Sequence, residues 1–278
     1  MNLLKEKRKI QNLLKIYDII EVSKFSTINE LNKSIQISET AFEMAFMAKS
    51  IFELAKTKYK ITNKFISNNK NKINVWVFAT LPSTLLSITY DKYIKIIEKS
   101  FKKEEDIMIA IGDTAQSFAK AKGYKVIFED SKMKDSSDNI SSVLSNLFMN
   151  NKINQIKFVL NSSKIENKEI TILPLDKLNI KRTKQYSLDP KIKFYPSMVH
   201  SLDATMSIYI SRITDALIKE GEYFYLKEKL LRHESSLKSI KEKIKQKTKQ
   251  NNKIKRKIET EEMIFISQNA KRNEGQNE

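Results

Sequence analysis

The sequence contains no cysteine, only two histidines, and only four glycines and four prolines. The missing cysteines exclude thiol catalysis, cysteine zinc sites and a disulfide framework, and they suit a reducing compartment. His200 and His233 stand far apart and outside any HExxH motif, which excludes a histidine zinc site of that type. Neither a GxxxxGK[ST] nor a GxGxxG loop occurs, and no serine lies in a nucleophile elbow. The sequence therefore predicts no catalytic residue, no bound cofactor and no metal site.

Long apolar runs are also missing. No run approaches the roughly 20 residues that a membrane-spanning helix needs. The opening residues lack a sustained apolar region before a small-residue cleavage site, so we expect no secretory signal. Because 40% of the residues are hydrophobic, the chain can nevertheless bury a core. These features predict a cytoplasmic protein that is at most peripheral to a membrane.

Arginine is scarce although the net charge is +18, since arginine occurs only at positions 8, 182, 212, 232, 256 and 272. Proteins that read nucleic-acid bases depend on arginine for bidentate contacts. The lysine excess accompanies many Asn and Ile residues and can reflect a composition bias that serves solubility. Nucleic-acid binding and biased composition both stay open as explanations of the charge, and nucleic acid is not the partner we expect.

The rare glycines and prolines divide the chain into three parts. The first 81 residues and the run 222–274 contain neither. Apolar residues in both regions recur every three or four positions, which is typical of helices with one buried stripe. A helix of about 70 residues would be roughly 100 Å long. Two such helices bury their stripes most simply against each other, as an antiparallel coiled coil. The stripes are formed by Ile10, Leu13, Tyr17, Ile20, Ile28, Leu31, Ile35, Phe42, Ala45, Ala48, Phe52 and Ala55, and by Val199, Leu202, Met206, Tyr209, Ile213, Leu217, Leu230, Leu237, Ile240, Ile244, Ile254, Ile258 and Phe265.

The middle of the chain alternates short β-branched runs with helical stretches, which indicates a mostly parallel, Rossmann-like sheet of five strands. The last two strands are joined by a short loop and should be antiparallel. Strands are predicted at 74–81, 106–112, 125–130, 155–161 and 169–175, and helices at 88–103, 113–122 and 137–150. The fold class is thus α/β with a long antiparallel coiled coil. The predicted domains are a coiled-coil helix at 1–70, an α/β domain at 71–190, a second coiled-coil helix at 191–270 and a polar tail at 271–278.

Two short motifs have both a chemical and a structural interpretation. Gly112 ends a predicted strand before Asp113, and it either contacts phosphate or makes a turn with Asp113 as helix N-cap and Gly123 closing the helix. In YPSMVHSLDA, His200 and Asp203 form either a catalytic pair or the polar flank of a helix that begins after Ser197. The absence of other catalytic motifs favours the structural interpretation of both.

Both ends of the chain resemble one known family. The opening MNLLKEKRKIQNLLKIYDII is similar to a family start of the form M-x-x-L-K-E-I-K-x-R-I-x-x-I-x-x-T-x-K-I. YPSMVHSLDATMSIYI resembles E-P-S-x-E-E-V-L-D-x-L-L-P-x-Y-L, and NKIKRKIETEEMIFI resembles Y-N-K-A-R-Q-A-A-I-T-K-E-I-x-E-I. The family is the gamma subunit, or central-stalk rotor, of F-type ATP synthases. Matching residues are Leu4, Lys5, Glu6, Lys15, Ile20, Pro196, Ser197, Leu202, Asp203, Tyr209, Asn252, Lys253, Thr260, Glu262 and Ile266, with Lys255 on the family's Arg.

The centre of the chain resembles the same family less closely. IMIAIGDTAQSFAKAKGYKVI and ITILPL are similar to its strand–Gly–helix–Gly-Tyr segment and to a strand ending in L-P-L. The family's glycine-rich loop is replaced by ATLPSTLLSIT at 79–89, without glycine, and a family Asp becomes Lys238. His200 stands where the family has Glu. These departures indicate a divergent, F-type-like rotor, such as the paralogues of mollicute bacteria.

The resemblance implies a non-catalytic shaft with alpha- and beta-type ATPase subunits as partners, and Mg-ATP bound on those partners. It also implies contact with a small stalk subunit and a membrane ring, or with a motility-linked assembly, and a place at the inner face of the membrane. The alternative is a stand-alone basic coiled coil that binds nucleic acid or serves as a scaffold. The resemblance places hexamer contacts at Lys5, Lys7, Arg8, Lys15, Lys253, Lys255, Arg256, Thr260 and Glu262.

Segment 226–257 carries thirteen Lys or Arg residues and three Glu residues. Beta subunits of the family present an acidic loop to the stalk, and Lys241 to Arg256 could form the complementary surface. A solvated helix face enriched in lysine explains the same pattern equally well.

Overall fold

A computed structural model of the chain describes residues 3–59, 73–80, 90–131, 136–150, 153–162, 169–178, 180, 193–195 and 197–274. Five helices, five strands and one 3₁₀ turn lie within these residues. In chain order they are α1 (Leu3–Tyr59), β1 (Ile73–Ala79), α2 (Asp91–Ser100), β2 (Asp106–Ile111), α3 (Asp113–Lys122), β3 (Val126–Asp130), α4 (Ser137–Met149), β4 (Ile153–Val159), β5 (Glu169–Leu173), the 3₁₀ turn (Leu175–Lys177) and α5 (Met198–Glu274).

The chain forms two compact units. Unit 1 comprises Met1–Asn29 and Lys229–Glu278, and unit 2 comprises Glu30–Glu228. The domain boundaries predicted near 70 and 190 lie outside the described residues, so that division stays a prediction. No helix among the described residues is both long and apolar enough to cross a membrane.

Unit 2 contains a five-stranded sheet in the order β3-β2-β1-β4-β5. The strand β1 pairs in parallel with β2 and β4, and β2 pairs in parallel with β3. The pair β4–β5 is antiparallel, because the short connection between them cannot hold a crossover helix. The mostly parallel sheet and its antiparallel last pair are therefore confirmed.

Burial follows strand position. All residues of β2 and the last five of β1 are buried, whereas the edge strand β3 alternates half-buried and exposed residues. A strand that is covered on both faces has apolar residues at consecutive positions. The strands β1 and β2 could therefore be predicted from their apolar runs. The helix predicted at 88–103 is shorter than expected. It ends at Ser100 because Phe101 turns to an extended conformation and the amide of Lys102 donates to the Asp106 carboxylate at 2.9 Å.

The prediction of Asp113 as N-cap of α3 is wrong by one position. Gly112 is the N-cap, with φ of 84° and ψ of 156°, and Asp113 is the first helical residue. Gly112 has no side chain with which to cap the helix. Instead Thr80, at the end of β1, accepts the amide N–H of Ala115 on its Oγ1 at 3.2 Å. The prediction for Gly123 is confirmed, since this residue closes α3 in the left-handed conformation with φ of 63°.

The unit 2 portions of α1 and α5 run antiparallel. Ser34 on α1 donates its hydroxyl to the backbone carbonyl of Lys219 at 2.8 Å, and Ser38 donates to that of Ala216 at 3.0 Å. Small side chains at these positions allow the helices to approach closely. Tyr209 on α5 is fully buried and donates its hydroxyl to the carbonyl of Ile172 in β5 at 2.9 Å. Burial raises the pKa of this phenol, so it stays protonated and keeps donating.

Candidate partner-binding surface

Unit 1 is a pair of antiparallel helices, formed by the first part of α1 and the last part of α5. Near its amino-terminal end, α1 presents Glu6, whose carboxylate contacts Lys9 at 2.7 Å and Lys247 of α5 at 3.1 Å. Hydrogen bonds from these two lysines hold the pKa of Glu6 below its usual range. The carboxylate is therefore ionised at neutral pH and fixes the first turns of α1 to α5.

A second polar contact lies farther along the same helix pair. Lys24 contacts Glu234 at 3.0 Å, and the hydroxyl of Ser23 lies 3.5 Å from Nε2 of His233. Burial, and then the charge of Lys229, lower the pKa of His233. The α5 partners fall from 247 to 234 as the α1 residues rise from 6 to 24, which shows the antiparallel direction.

The nine residues that the family resemblance assigns to hexamer contacts all lie in unit 1 and are all exposed. Three of them take part in local contacts along α5. Lys255 contacts Glu259 at 3.4 Å, and Thr260 donates its hydroxyl to the carbonyl of Arg256 at 2.8 Å. Exposure leaves these side chains accessible to a partner, and their role as contacts stays a prediction.

The last part of α5 presents apolar side chains to solvent on every side. Every described side chain from 259 to 268 is exposed. Met263, Ile264, Phe265 and Ile266 are 72%, 52%, 64% and 67% exposed. Successive helical residues are 100° apart, so four in a row extend around most of the circumference. We call Met263 to Ile266 the apolar collar.

The apolar collar overturns one sequence prediction. Phe265 was expected on the buried stripe, because it continues the three- and four-residue spacing of α5. In the structure the first turns of α1 pair with α5 near Lys247, and Phe265 lies five turns farther along α5. Periodicity predicts which face of a helix is apolar, but it does not show where the partner helix ends. Val199, at the other end of α5, was also expected on the stripe and is 59% exposed.

Lysines follow α5 on the approach to the apolar collar. Those at 238, 241, 243, 245, 249, 253, 255 and 257 are all exposed. Of these, Lys255 and Lys257 contact Glu259 and Glu261 one turn later, at 3.4 and 3.8 Å. Exposed i,i+4 pairs of this kind are weak, and they involve two of the eight lysines. The segment therefore keeps a strongly positive surface that an acidic partner could contact.

The start of α5 shows what His200 does. The helix begins at Met198, and Ser197 Oγ lies 2.9 Å from His200 Nδ1 and 3.4 Å from its backbone nitrogen, which donates to it. Ser197 Oγ thus accepts the backbone N–H of His200, as in the first half of a capping box, and the His200 ring contacts the Ser197 hydroxyl. The prediction of a structural cap is thus confirmed. Within the described residues no group of His, Asp or Glu side chains could hold a metal ion.

No family model matches the chain. The uncharacterized protein UU050 of Ureaplasma parvum serovar 3 is 23% identical over 253 residues, which cover 79% of this chain and 83% of that protein.

Two solved structures of the Euglena gracilis mitochondrial ATP synthase are similar in fold. A chain of its rotor in rotational state 1 has a TM-score of 0.48 and 10% identity, with 92% of this chain and 98% of that chain covered. A chain of the OSCP/F1/c-ring assembly in rotational state 3 has a TM-score of 0.49 and 12% identity, with 95% and 92% covered.

Proposed function

We propose that this protein is the non-catalytic central shaft of a rotary F-type or F-type-like ATPase. The observation that carries the proposal is the apolar collar. Four consecutive exposed apolar residues cannot be buried by a flat partner surface, because such a surface covers only one side of a helix. A partner that buries them must surround the helix. The ring of alpha- and beta-type subunits implied by the sequence resemblance has such a central cavity.

The sequence resemblance supports the proposal independently, because matched residues occur at both ends of the chain. Lys5 and Lys15 lie on the unit 1 part of α1, and Lys253, Thr260 and Glu262 lie on the unit 1 part of α5. The matching segments at the two ends of the chain thus belong to the same compact unit. We assign the nine exposed residues of unit 1 as contacts with the surrounding ring.

The mechanism follows from symmetry. A pair of helices has no threefold axis, so each of three identical catalytic subunits around it meets a different surface. The orientation of the shaft then biases nucleotide affinity at each site, and nucleotide exchange biases the orientation of the shaft in return. The chain itself hydrolyses nothing. Its output is proton translocation through a membrane ring, or, in a divergent paralogue, a motility- or surface-linked motor at the membrane.

The test is co-expression of the full chain with alpha- and beta-type ATPase subunits of its organism. We expect a stoichiometric complex with ATPase activity. Replacing Met263 and Phe265 together by Ser should reduce recovery of the complex by at least about tenfold, since burying each side chain is worth about 1.5–3 kcal/mol. Val199→Ser, which removes a comparably exposed apolar side chain from unit 2, is the control and should change nothing.

Two results would overturn the proposal. One is a chain that stays free of alpha- and beta-type subunits and binds nucleic acid with a strong salt dependence, since the lysines of α5 would then serve a polyanion. The other is an unchanged complex after loss of the apolar collar, since the observation that carries the proposal would then be irrelevant to assembly.

A further inference from the structure

Unit 1 has a groove between its two helices that the apolar collar does not reach. We call it the Phe25 groove, and it is lined by Tyr17, Phe25 and Ile28 of α1 and by Leu237, Lys238 and Lys241 of α5. From Tyr17 to Ile28 it extends about 16 Å, or three helical turns. This length suits one face of a helix rather than a small molecule.

The floor of the Phe25 groove is apolar. Leu237 is buried, Tyr17 and Ile28 are half-buried, and Phe25 is 62% exposed at the mouth. Single exposed apolar residues are common on protein surfaces. Phe25 differs because it adjoins a depression with an apolar floor, into which side chains of a third helix could insert between those of α1 and α5.

The two rims of the groove carry opposite charge. Lys238 and Lys241 form the α5 rim, and neither makes an ion pair within the described residues. Glu21 stands on the α1 rim one turn before Phe25 and likewise has no ion-pair partner there. The remaining charges, Lys24 and Glu234, neutralise each other at 3.0 Å.

We propose that the Phe25 groove binds an amphipathic helix of a partner protein, making a three-helix coil. The partner helix carries acidic residues on the flank that faces Lys238 and Lys241, and a basic residue on the flank that faces Glu21. Charge at both rims fixes the orientation of the helix, as charges beside an apolar seam do in coiled coils. This inference does not depend on the shaft function, because the groove is complete within unit 1.

A second groove of unit 1 provides an internal control. It is lined by Lys9, Leu13 and Ile16 of α1 and by Lys243, Gln246 and Lys247 of α5. Its charged lining residues are all lysines, and Ile16 is 46% exposed. Helix binding driven by apolar area and positive charge alone would use both grooves. Binding that requires two rims of opposite charge would occur only at the Phe25 groove.

The experiment measures binding of labelled synthetic helices of about 20 residues to the full chain at about 0.15 M salt. One probe has a leucine face with glutamates on one flank and lysines on the other, and the second probe has lysines on both flanks. We expect the first probe to bind at least about tenfold more tightly. Phe25→Ser should weaken its binding about tenfold, whereas Ile16→Ser should leave it unchanged.

Charge reversal tests whether the rim charges select the partner helix. Lys238→Glu combined with Lys241→Glu should transfer the preference to the probe with lysines on both flanks, and circular dichroism confirms that each variant stays helical. Equal binding of the two probes by the unmodified chain would overturn the proposal. So would equal losses from Phe25→Ser and Ile16→Ser. Because the measurement uses the chain alone, either result leaves the shaft proposal to be judged on its own test.

Discussion

Glu6 and Lys247, near opposite ends of the chain, form an ion pair of 3.1 Å between α1 and α5. Glu6 is 6% exposed, and Lys9 contacts its other oxygen at 2.7 Å. Glu6 also matches the glutamate in the opening motif of the gamma-subunit family. The contact therefore marks the place where the start of α1 is held against α5.

We expect Glu6→Gln to loosen the first turns of α1, which would appear as faster hydrogen exchange of their amides. The lysines keep the pKa of Glu6 below its usual range. Its contribution to stability is thus complete above the unfolded pKa of about 4.3 and is lost as the pH falls through the lower folded pKa. The exchange difference between Glu6→Gln and the unmodified chain should shrink over that acidic range. A difference that persists below it would contradict this assignment.

Asp106 joins three donors at the amino ends of the central strands. Its carboxylate accepts from Asn74 Nδ2 at 2.7 Å, from Trp76 Nε1 at 3.0 Å and from the backbone N–H of Lys102. Because the residue is 3% exposed, Asp106→Ala leaves buried donors without an acceptor. We expect a loss of about 2–4 kcal/mol in the free energy of unfolding, measured by denaturant titration. Glu104→Ala, on an exposed neighbour, should cost less than about 0.5 kcal/mol.

Alanine substitutions at Gly112 and Gly123 separate the effect of a close steric contact from the effect of the left-handed backbone conformation. Both have positive φ, but a Cβ on Gly112 would lie 2.4 Å from the Thr80 carbonyl oxygen, whereas one on Gly123 would meet nothing within 4 Å. Gly123→Ala should cost about 1 kcal/mol for the left-handed conformation alone. Gly112→Ala should cost clearly more, about 3 kcal/mol, because β1 and α3 must also separate. Equal melting temperatures of the two variants would show that the contact with Thr80 is unimportant.

His233 should make the helix pair of unit 1 sensitive to acid. Burial lowers its pKa, and the charge of Lys229 adds to the effect. A histidine with a lowered folded pKa contributes stability that is complete above about pH 6.5 and declines as the pH falls toward the folded pKa. His233→Gln should remove this decline. The measurement is the denaturation midpoint of the helical circular-dichroism signal at neutral and mildly acidic pH, with His200→Gln as the control that keeps it.

His200 should not be needed for activity of the proposed complex. It lies in the first turn of α5 beside Ser197 Oγ, so His200→Gln keeps a polar residue at the cap. We expect normal assembly and ATPase turnover, while Ser197→Ala lowers stability by about 1 kcal/mol through loss of the cap. A large loss of turnover in an assembled His200→Gln complex would show that this residue has a functional role.

Much of the fold could be predicted from local chemistry. The apolar runs of β1 and β2 exist because both faces of these central strands are covered, and α3 ends at Gly123 because the left-handed conformation disfavours other residues. The absence of glycine and proline from 1–81 and 222–274 permitted long helices. Each of these features depends on residues that are close together in the sequence. It can therefore be recognised without knowing which other segments pack against it.

Other features required the tertiary structure. The N-cap of α3 is Gly112, because the capping hydroxyl comes from Thr80 on another strand. Glu6 meets Lys247 only once the two helices pair, and the periodicity of α5 could not show that its partner ends before Phe265. The nine predicted contact residues were identified by resemblance alone, since exposed polar and charged residues leave no periodic signal. The sequence by itself determined the elements and their apolar faces, because these follow from local propensity. The tertiary structure decided which of those faces are covered, because coverage depends on where distant segments of the chain begin and end.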